Sequence, residues 1–235
     1  MLVFNEKEHS YHLDGIKCIS VSEFFKNFQD EFNALMIAPR VAKKRGVSVE
    51  QILAEWDLKR LIGISYGNTL HFVIEAYEKY GLMPTRVYLV HIVNKYKKLI
   101  EPYKKDGWTV VAEDRIGNSE FKIAGSRDLV IRKGNKFKII DFKTDYDLHN
   151  KIKPSYGYLK EPLQNYKATR LNVYRVKMSI YAHLEELTGM EFDGLELWHW
   201  EEDKDFTVIN LDRIDVTPLF DFRREQLIDE ECHPF

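Results

Sequence analysis

AGSRDLVIRKGNKFKIIDFKT, running from Ala124 to Thr144, reads as two apolar strands joined by a tight turn, and each strand brings an acid to a place a structural sheet would not want one. From Phe121 to Arg132 the residues Phe121, Ile123, Leu129 and Ile131 fall on one face of a period-2 pattern, with Ala124 and Val130 on the other. Both faces therefore read as covered, and Asp128 shares the face of Ala124 and Val130. Lys133-Gly134-Asn135 is the turn signal. The second strand, Phe137 to Lys143, carries Phe137, Ile139, Asp141 and Lys143 on one face, so a face that begins as core ends in a carboxylate and an ammonium. Burying either charge alone is costly, which leaves as partners each other, a metal ion or a phosphate in a cleft.

Phosphodiester hydrolysis is a chemistry that needs this set. Two carboxylates can hold Mg²⁺, which acidifies water and takes up charge on the transferring phosphoryl group. A lysine two residues along the strand from the second acid projects on the same side, where it can orient the attacking water or offset phosphate charge. The plain alternative is a solvated Asp-x-Lys pair at a strand end, common in a chain with 31% charged residues.

Composition narrows the surroundings. At 235 residues, with 44% hydrophobic and 13% aromatic side chains, the chain can bury a sizeable core. A net charge of -2 means that any nucleic-acid site is a local basic patch. The two cysteines, Cys18 and Cys232, are far apart and form no CxxC, which argues for a reducing compartment and against a zinc knuckle or iron-sulfur cluster. No apolar run reaches the ~18 residues of a membrane span and no signal peptide opens the chain. A cytoplasmic protein is expected.

In chain order, Val3 to Val21 reads as a hairpin about Asp14-Gly15, and Ser20-Val-Ser-Glu23 and Ser48-Val-Glu-Gln51 are capping-box patterns that open helices. A further helix is expected from Asn33 to Arg45, with Arg40, Lys43, Lys44 and Arg45 on a solvated or phosphate-binding face. Helical patterning from Ala54 to Gly81 contains Gly67, His71 and Glu75, four apart and so on one face. Another helix follows Pro84 to about Lys105. Trp108 to Ile116 reads as the first strand of the central sheet, with Glu113 or Asp114 turned towards the cleft of Asp128. The long stretch Asp145 to Ala168 lacks periodicity and is expected to be an active-site flap. A helix from Thr169 to Leu187, strands Gly194 to Glu201 and Phe206 to Leu211, and a helix from Thr217 to Glu231 complete the chain.

The ordered series Gly67-xxx-His71, Gly125-xx-Asp128, Asp141-x-Lys143-Thr144 and Lys177-xxx-Tyr181 resembles the RecB-like branch of the PD-(D/E)XK nuclease superfamily. Tyr11-His-Leu-Asp-Gly15 leading to Ser20-Val-Ser is similar to the opening of phage-encoded members. The likeness covers Tyr11 to about Glu186. It implies an α/β (α+β) fold with a restriction-endonuclease-like core, a central mixed sheet flanked by helices and a helical N-terminal extension. The expectation is a single nuclease domain over 1–235, made of an N-terminal hairpin and helices over 1–53, a nuclease core over 54–211 and a C-terminal helix over 212–235.

Carried over residue by residue, the resemblance makes Asp128, Asp141 and Lys143 catalytic. His71, Asp128, Asp141 and the backbone carbonyl of Phe142 would be metal ligands for Mg²⁺ or Mn²⁺, with Glu113 and Glu75 as further acidic contributors. Lys177, Tyr181 and Arg175 would contact nucleic acid. The family's glutamine is Lys177 here, and an ammonium only donates, so it suits a phosphate better than a water. The implied activity is an exonuclease on single-stranded or duplex DNA ends in recombination, replication or repair. The alternatives are a structure-selective endonuclease and a non-catalytic nucleic-acid-binding module on the same fold.

Overall fold

The structure, a computed structural model, describes residues 1–8, 10–144, 148, 157–201 and 205–232. Three short strands, β1 (Leu2–Asn5), β2 (Ser10–Leu13) and β3 (Ile16–Ser20), precede four helices, α1 (Val21–Lys26), α2 (Ala34–Arg45), α3 (Val49–Tyr80) and α4 (Val87–Lys105). Strands β4 (Thr109–Asn118), β5 (Ile123–Lys133) and β6 (Lys136–Lys143) follow, then α5 (Arg170–Glu186), β7 (Glu191–His199), β8 (Thr207–Leu211) and α6 (Thr217–Cys232). The strands form one mixed sheet in the order β1-β2-β3-β5-β6-β7-β8, with β4 against β5. Helices flank it on both faces, a mixed α/β architecture. No helix among the described residues is long and apolar enough to cross a membrane.

The central strand is β5, and its two edges are used differently. One edge pairs with β4, from Asn118 opposite Ile123 to Thr109 opposite Arg132, with a break in the ladder at Glu113 and Asp128. The other is shared: β3 runs parallel to its start, with Ser20 opposite Ala124, and β6 runs antiparallel to its end, with Ile140 opposite Leu129. The C-terminal ends of β3 and β6 therefore approach each other across Gly125 to Asp128, where this edge of β5 has no ladder partner. The sheet has a notch there. The N-terminal strands, read from the sequence as a short hairpin, join the central sheet through β3, which forms one wall of that notch.

Side-chain alternation along β5 also changes at the notch. Ile123, Gly125 and Arg127 meet α5, through Ile180, Tyr181 and Glu185 respectively. Val130, three residues beyond Arg127, meets α5 again through Met178 and Ala182, whereas Leu129 and Ile131 pack against Leu70, Val73 and Tyr96 of α3 and α4. An unbroken strand would put Ile123 and Leu129 on one face, as period-2 reading expects. The slip falls at Asp128, opposite Glu113, whose φ of 50° lies in the left-handed region that strand residues rarely adopt. Asp128 is thereby released from the face expected for it and reaches α3.

The helices are placed by their caps and apolar faces. Ser48 and Gln51 close a reciprocal capping box on α3, and Gly81, left-handed, ends it after 32 residues. Residue 53, the expected edge of the core, lies inside this continuous helix. Thr169 caps α5 through the Asn172 N–H. Of the expected flap, 145–147 and 149–156 lie outside the described residues. Its remainder is anchored to the core at two points, Leu159 and Leu163, which pack with Phe24, Phe28 and Val176, and the Lys160 N–H donates to the Phe28 carbonyl at 2.8 Å.

Gly125 fixes how closely α5 lies on the notch. A Cβ there would stand 2.4 Å from the Tyr181 hydroxyl and 2.8 Å from its ring, in a packed interior with no flexible chain end to give way. Gly125→Ala is expected to cost about 1–3 kcal/mol, the range for overpacking, and Gly125→Ala with Tyr181→Ala should recover part of the loss. Denaturant melts of the two variants and the parent check this; additive losses in the double variant would mean the two sites are independent.

Candidate functional site

Three acids stand abreast at the notch. The β4–β5 register places Glu113 opposite Asp128, between the pairs Ala112–Leu129 and Asp114–Arg127. The β5–β6 register, continued one step past Leu129–Ile140, places Asp141 on the other side of Asp128. Like charges directly opposite on adjacent strands repel, so this row exists only with cations and donors around it. His71 comes from α3: its Nδ1 is 3.4 Å from Asp128 Oδ1 and 3.7 Å from Glu113 Oε1. Gly67, one turn earlier on α3, faces Thr144 just past β6, with room for a Cβ at 3.5 Å from the threonine oxygen.

Backbone and hydroxyl donors complete the frame. The Phe142 N–H donates to Asp128 Oδ2 at 2.7 Å, so the strand that carries Asp141 also holds Asp128 in place. Ser126 Oγ donates to Glu113 Oε2 at 3.0 Å. Lys143 Nζ contacts the Asp141 carboxylate, donates to the Phe142 carbonyl at 2.9 Å and lies 5.0 Å from the Tyr174 ring centre on α5. Asp141 Oδ2, the oxygen that Lys143 meets, is buried.

The charges within this frame are shifted strongly. Burial works against a charge on His71, but the charge and hydrogen bond of Asp128, with help from Glu113, outweigh it and push the imidazole up to about 10 against the opposing Lys143. Burial raises Asp141, the Lys143 ammonium opposes, and the Asp128 charge adds to the rise, leaving it at about 6. Asp128 is driven up by burial yet held below the ordinary carboxylate range by His71, Lys143 and the Phe142 N–H. The chain thus answers its own acid row with an imidazolium and an ammonium.

A divalent cation fits this donor set. Ligand atoms of His71, Glu113 and Asp128 all lie within 4.8 Å of one another, while the Asp141 carboxylate, outside that group, is paired with Lys143. Carboxylate oxygens suit Mg²⁺, while the imidazole nitrogen favours Mn²⁺. The Phe142 carbonyl, expected as a ligand, lies at the same strand end and accepts from Lys143. Glu75, also expected, stands one turn beyond His71 and pairs with Lys79 at 2.7 Å, outside the group of converging ligand atoms.

Of the two acids on β4, Glu113 faces the row. Asp114 is bonded instead to Arg127 and Arg132, which also grip Glu185 of α5, in a mostly buried network away from the ligands. On α5, Tyr181 lies on Gly125 and its hydroxyl is pushed well above the ordinary value, first by burial. Lys177 points to α1, with Nζ 3.3 Å from Ser22 Oγ. Arg175, two residues back and about 200° round the helix, is not brought to the site: it donates to the Asp212 carbonyl at 2.9 Å and to Asn172 at 3.0 Å. Ser126, Tyr174 and Ser22 join the site without having been foreseen. Ser22 lies in the Ser20-Val-Ser motif, and Tyr174 stands three residues before Lys177.

No protein-family profile and no curated protein sequence matches the chain. Among solved structures it is similar to an Eubacterium rectale protein provisionally named an exonuclease, with a TM-score of 0.38 and 10% identity over 90% of this chain and 79% of that one. It is also similar to the protein designated SSO0001, with a TM-score of 0.32 and 13% identity over 71% of this chain and 74% of that one. At these scores the chemistry must be read from the residues themselves.

The shifted groups set a direction for pH. A folded-state pKa raised above the unfolded value gives stability that is complete below the unfolded value and lost as pH rises through the folded one. For His71 that window runs from 6.5 to about 10, and for Asp141 from 3.8 to about 6. Protein kept in chelator should therefore lose melting temperature from pH 6.5 to 10, and His71→Gln should flatten that decline. Because a divalent ion competes with the His71 proton, its stabilising effect should grow over the same range. Thermal melts with EDTA or Mn²⁺ check both, and an equal Mn²⁺ effect at pH 6 and 8.5 would contradict the linkage.

Proposed function

We propose that the chain is a divalent-metal-dependent nuclease of the RecB-like PD-(D/E)XK kind, hydrolysing phosphodiester bonds from DNA ends. The observation that carries this reading is the row Glu113, Asp128 and Asp141 in the sheet notch, with His71 over it and Lys143 against Asp141. His71, Glu113, Asp128 and Asp141 would hold the metal. A divalent ion there supplies positive charge that acidifies water and withdraws charge from a phosphate.

The chain's own groups then divide the work. Lys143 Nζ, steered by Asp141 and the Phe142 carbonyl, would donate to the attacking water and balance charge gathering on the phosphate oxygens. Asp128 is held by the Phe142 N–H, and Glu113 by Ser126, so neither acid has to be ordered when substrate arrives. Lys177 would grip a phosphate, and Tyr181 would seal the floor of the notch against Gly125.

Asp128→Asn, Asp141→Asn and Lys143→Met are each expected to lower turnover by at least about a hundredfold. Asp141→Asn should also leave the metal-free protein as stable as the parent or more so, because it removes a charge that burial disfavours. End-labelled single-stranded and duplex DNA in Mg²⁺, Mn²⁺ or EDTA, with a circular control, provides the assay. Parental cleavage surviving in any of the three variants would remove this row as the catalytic site, and cutting of the circle would replace exonuclease with endonuclease.

A further inference from the structure

Beside the acid row, α5 turns towards the sheet a stripe that is not core. Arg170, Tyr174, Lys177 and Tyr181 recur at the spacing of one helix side. They run between buried residues, with Met178 and Ala182 on one flank and Val176 and Ile180 on the other. A helix that only packed would carry apolar side chains there.

The stripe grades outward from the notch. Tyr181 is deepest, on Gly125. Lys177 is half-buried, with Nζ against Ser22 of α1 and 6.0 Å from the Phe25 ring centre. Arg170 is exposed at the first position of α5, and Lys26 is exposed at the last position of α1. Neither Arg170 nor Lys26 has a carboxylate partner among the described residues, and the first turn of α5 holds no acid. Burial lowers the Lys177 pKa, Lys143 adds to that, Asp141 opposes, and Arg170 and Lys26 add again. A cation at a helix N-terminus also works against the helix dipole. These costs are offset when an anion lies along the stripe.

We infer that Lys177, Arg170 and Lys26 form a phosphate track, which holds the nucleic-acid backbone just beyond the phosphodiester at the acid row. The track rests on the nuclease reading for what occupies the row. It makes the substrate a strand with consecutive phosphates, bound through its backbone and so with little regard to base sequence. Arg170 and Lys26 take the place that the sequence suggested for Arg175.

Arg170→Gln and Lys26→Gln are surface changes that leave the packing of α5 and α1 alone. Binding of a single-stranded oligonucleotide, measured by anisotropy in Ca²⁺ over several salt concentrations, should weaken several-fold in each. The slope of log K against log salt should fall by about 0.7 per lost contact. A series of oligonucleotides, each with one linkage made neutral as a methylphosphonate, then locates the contact. One or two linkages should weaken binding to the parent but cost Arg170→Gln nothing further, since the variant has already lost that partner. Unchanged slopes, or losses that add at every linkage, would overturn the track. Turnover of the unmodified oligonucleotide by the parent in Mn²⁺ separates the two claims. Coupling without cleavage would remove the nuclease reading and keep the track, whereas cleavage without coupling would remove the track alone.

Discussion

Mutual repulsion of three carboxylates side by side across β4, β5 and β6 is the constraint on which the rest of the structure depends. In a continuous sheet such a row would face an apolar helix and cost several kcal/mol per buried charge. Here the edge of β5 is open from Gly125 to Asp128, and the opening admits the groups that make the row tolerable. A helix brings His71, the adjoining strand brings the Phe142 N–H, and that strand's own end brings Lys143. The large clusters either side of the sheet, one under α3 and α4 and one under α1, α5 and α6, hold those elements at the notch.

Much of this was legible in the sequence, for a reason particular to each residue. Asp141 and Lys143 could be read because β6 keeps strict alternation: Phe137 and Ile139 define a core face, and the next two places on it are charged. His71 could be read because its helix is long and regular. The face of Asp128 could not, because alternation along β5 slips at that residue, and the cause lies on another strand, in the left-handed backbone of Glu113. Nothing in the sequence around Glu113 announces that conformation. It is a glutamate held there by its surroundings, with Ser126 on its carboxylate and His71 beside it. The strand pattern alone left Glu113 and Asp114 open, since neighbours on a strand point opposite ways and only the register says which way is in; it was the resemblance that named Glu113.

The notch itself was beyond sequence reading. Its far wall is β3, more than a hundred residues before β5, and only two residue pairs join them. That Arg175 lies away from the row has a similar origin. A helix of 17 residues offers several charged stripes, and which one meets the site depends on how the helix is rolled against the sheet. That roll is set by Tyr181 lying on Gly125, a close approach of two residues from different elements.

A second contact keeps the roll from drifting. At the C-terminal end of α5, Glu185 is held by both Arg127 and Arg132, which also share Asp114. Arg127 and Glu185 are almost fully buried, so loss of either partner would strand a charge in the interior. Arg127 is also the residue before Asp128, and Asp114 the residue after Glu113. The same two strands therefore present one neighbour of each pair to the acid row and the other to the clamp on α5. A change that loosened the clamp would move both the helix stripe and the row, so the geometry that gathers the negative charge and the geometry that arranges the positive charge cannot vary independently.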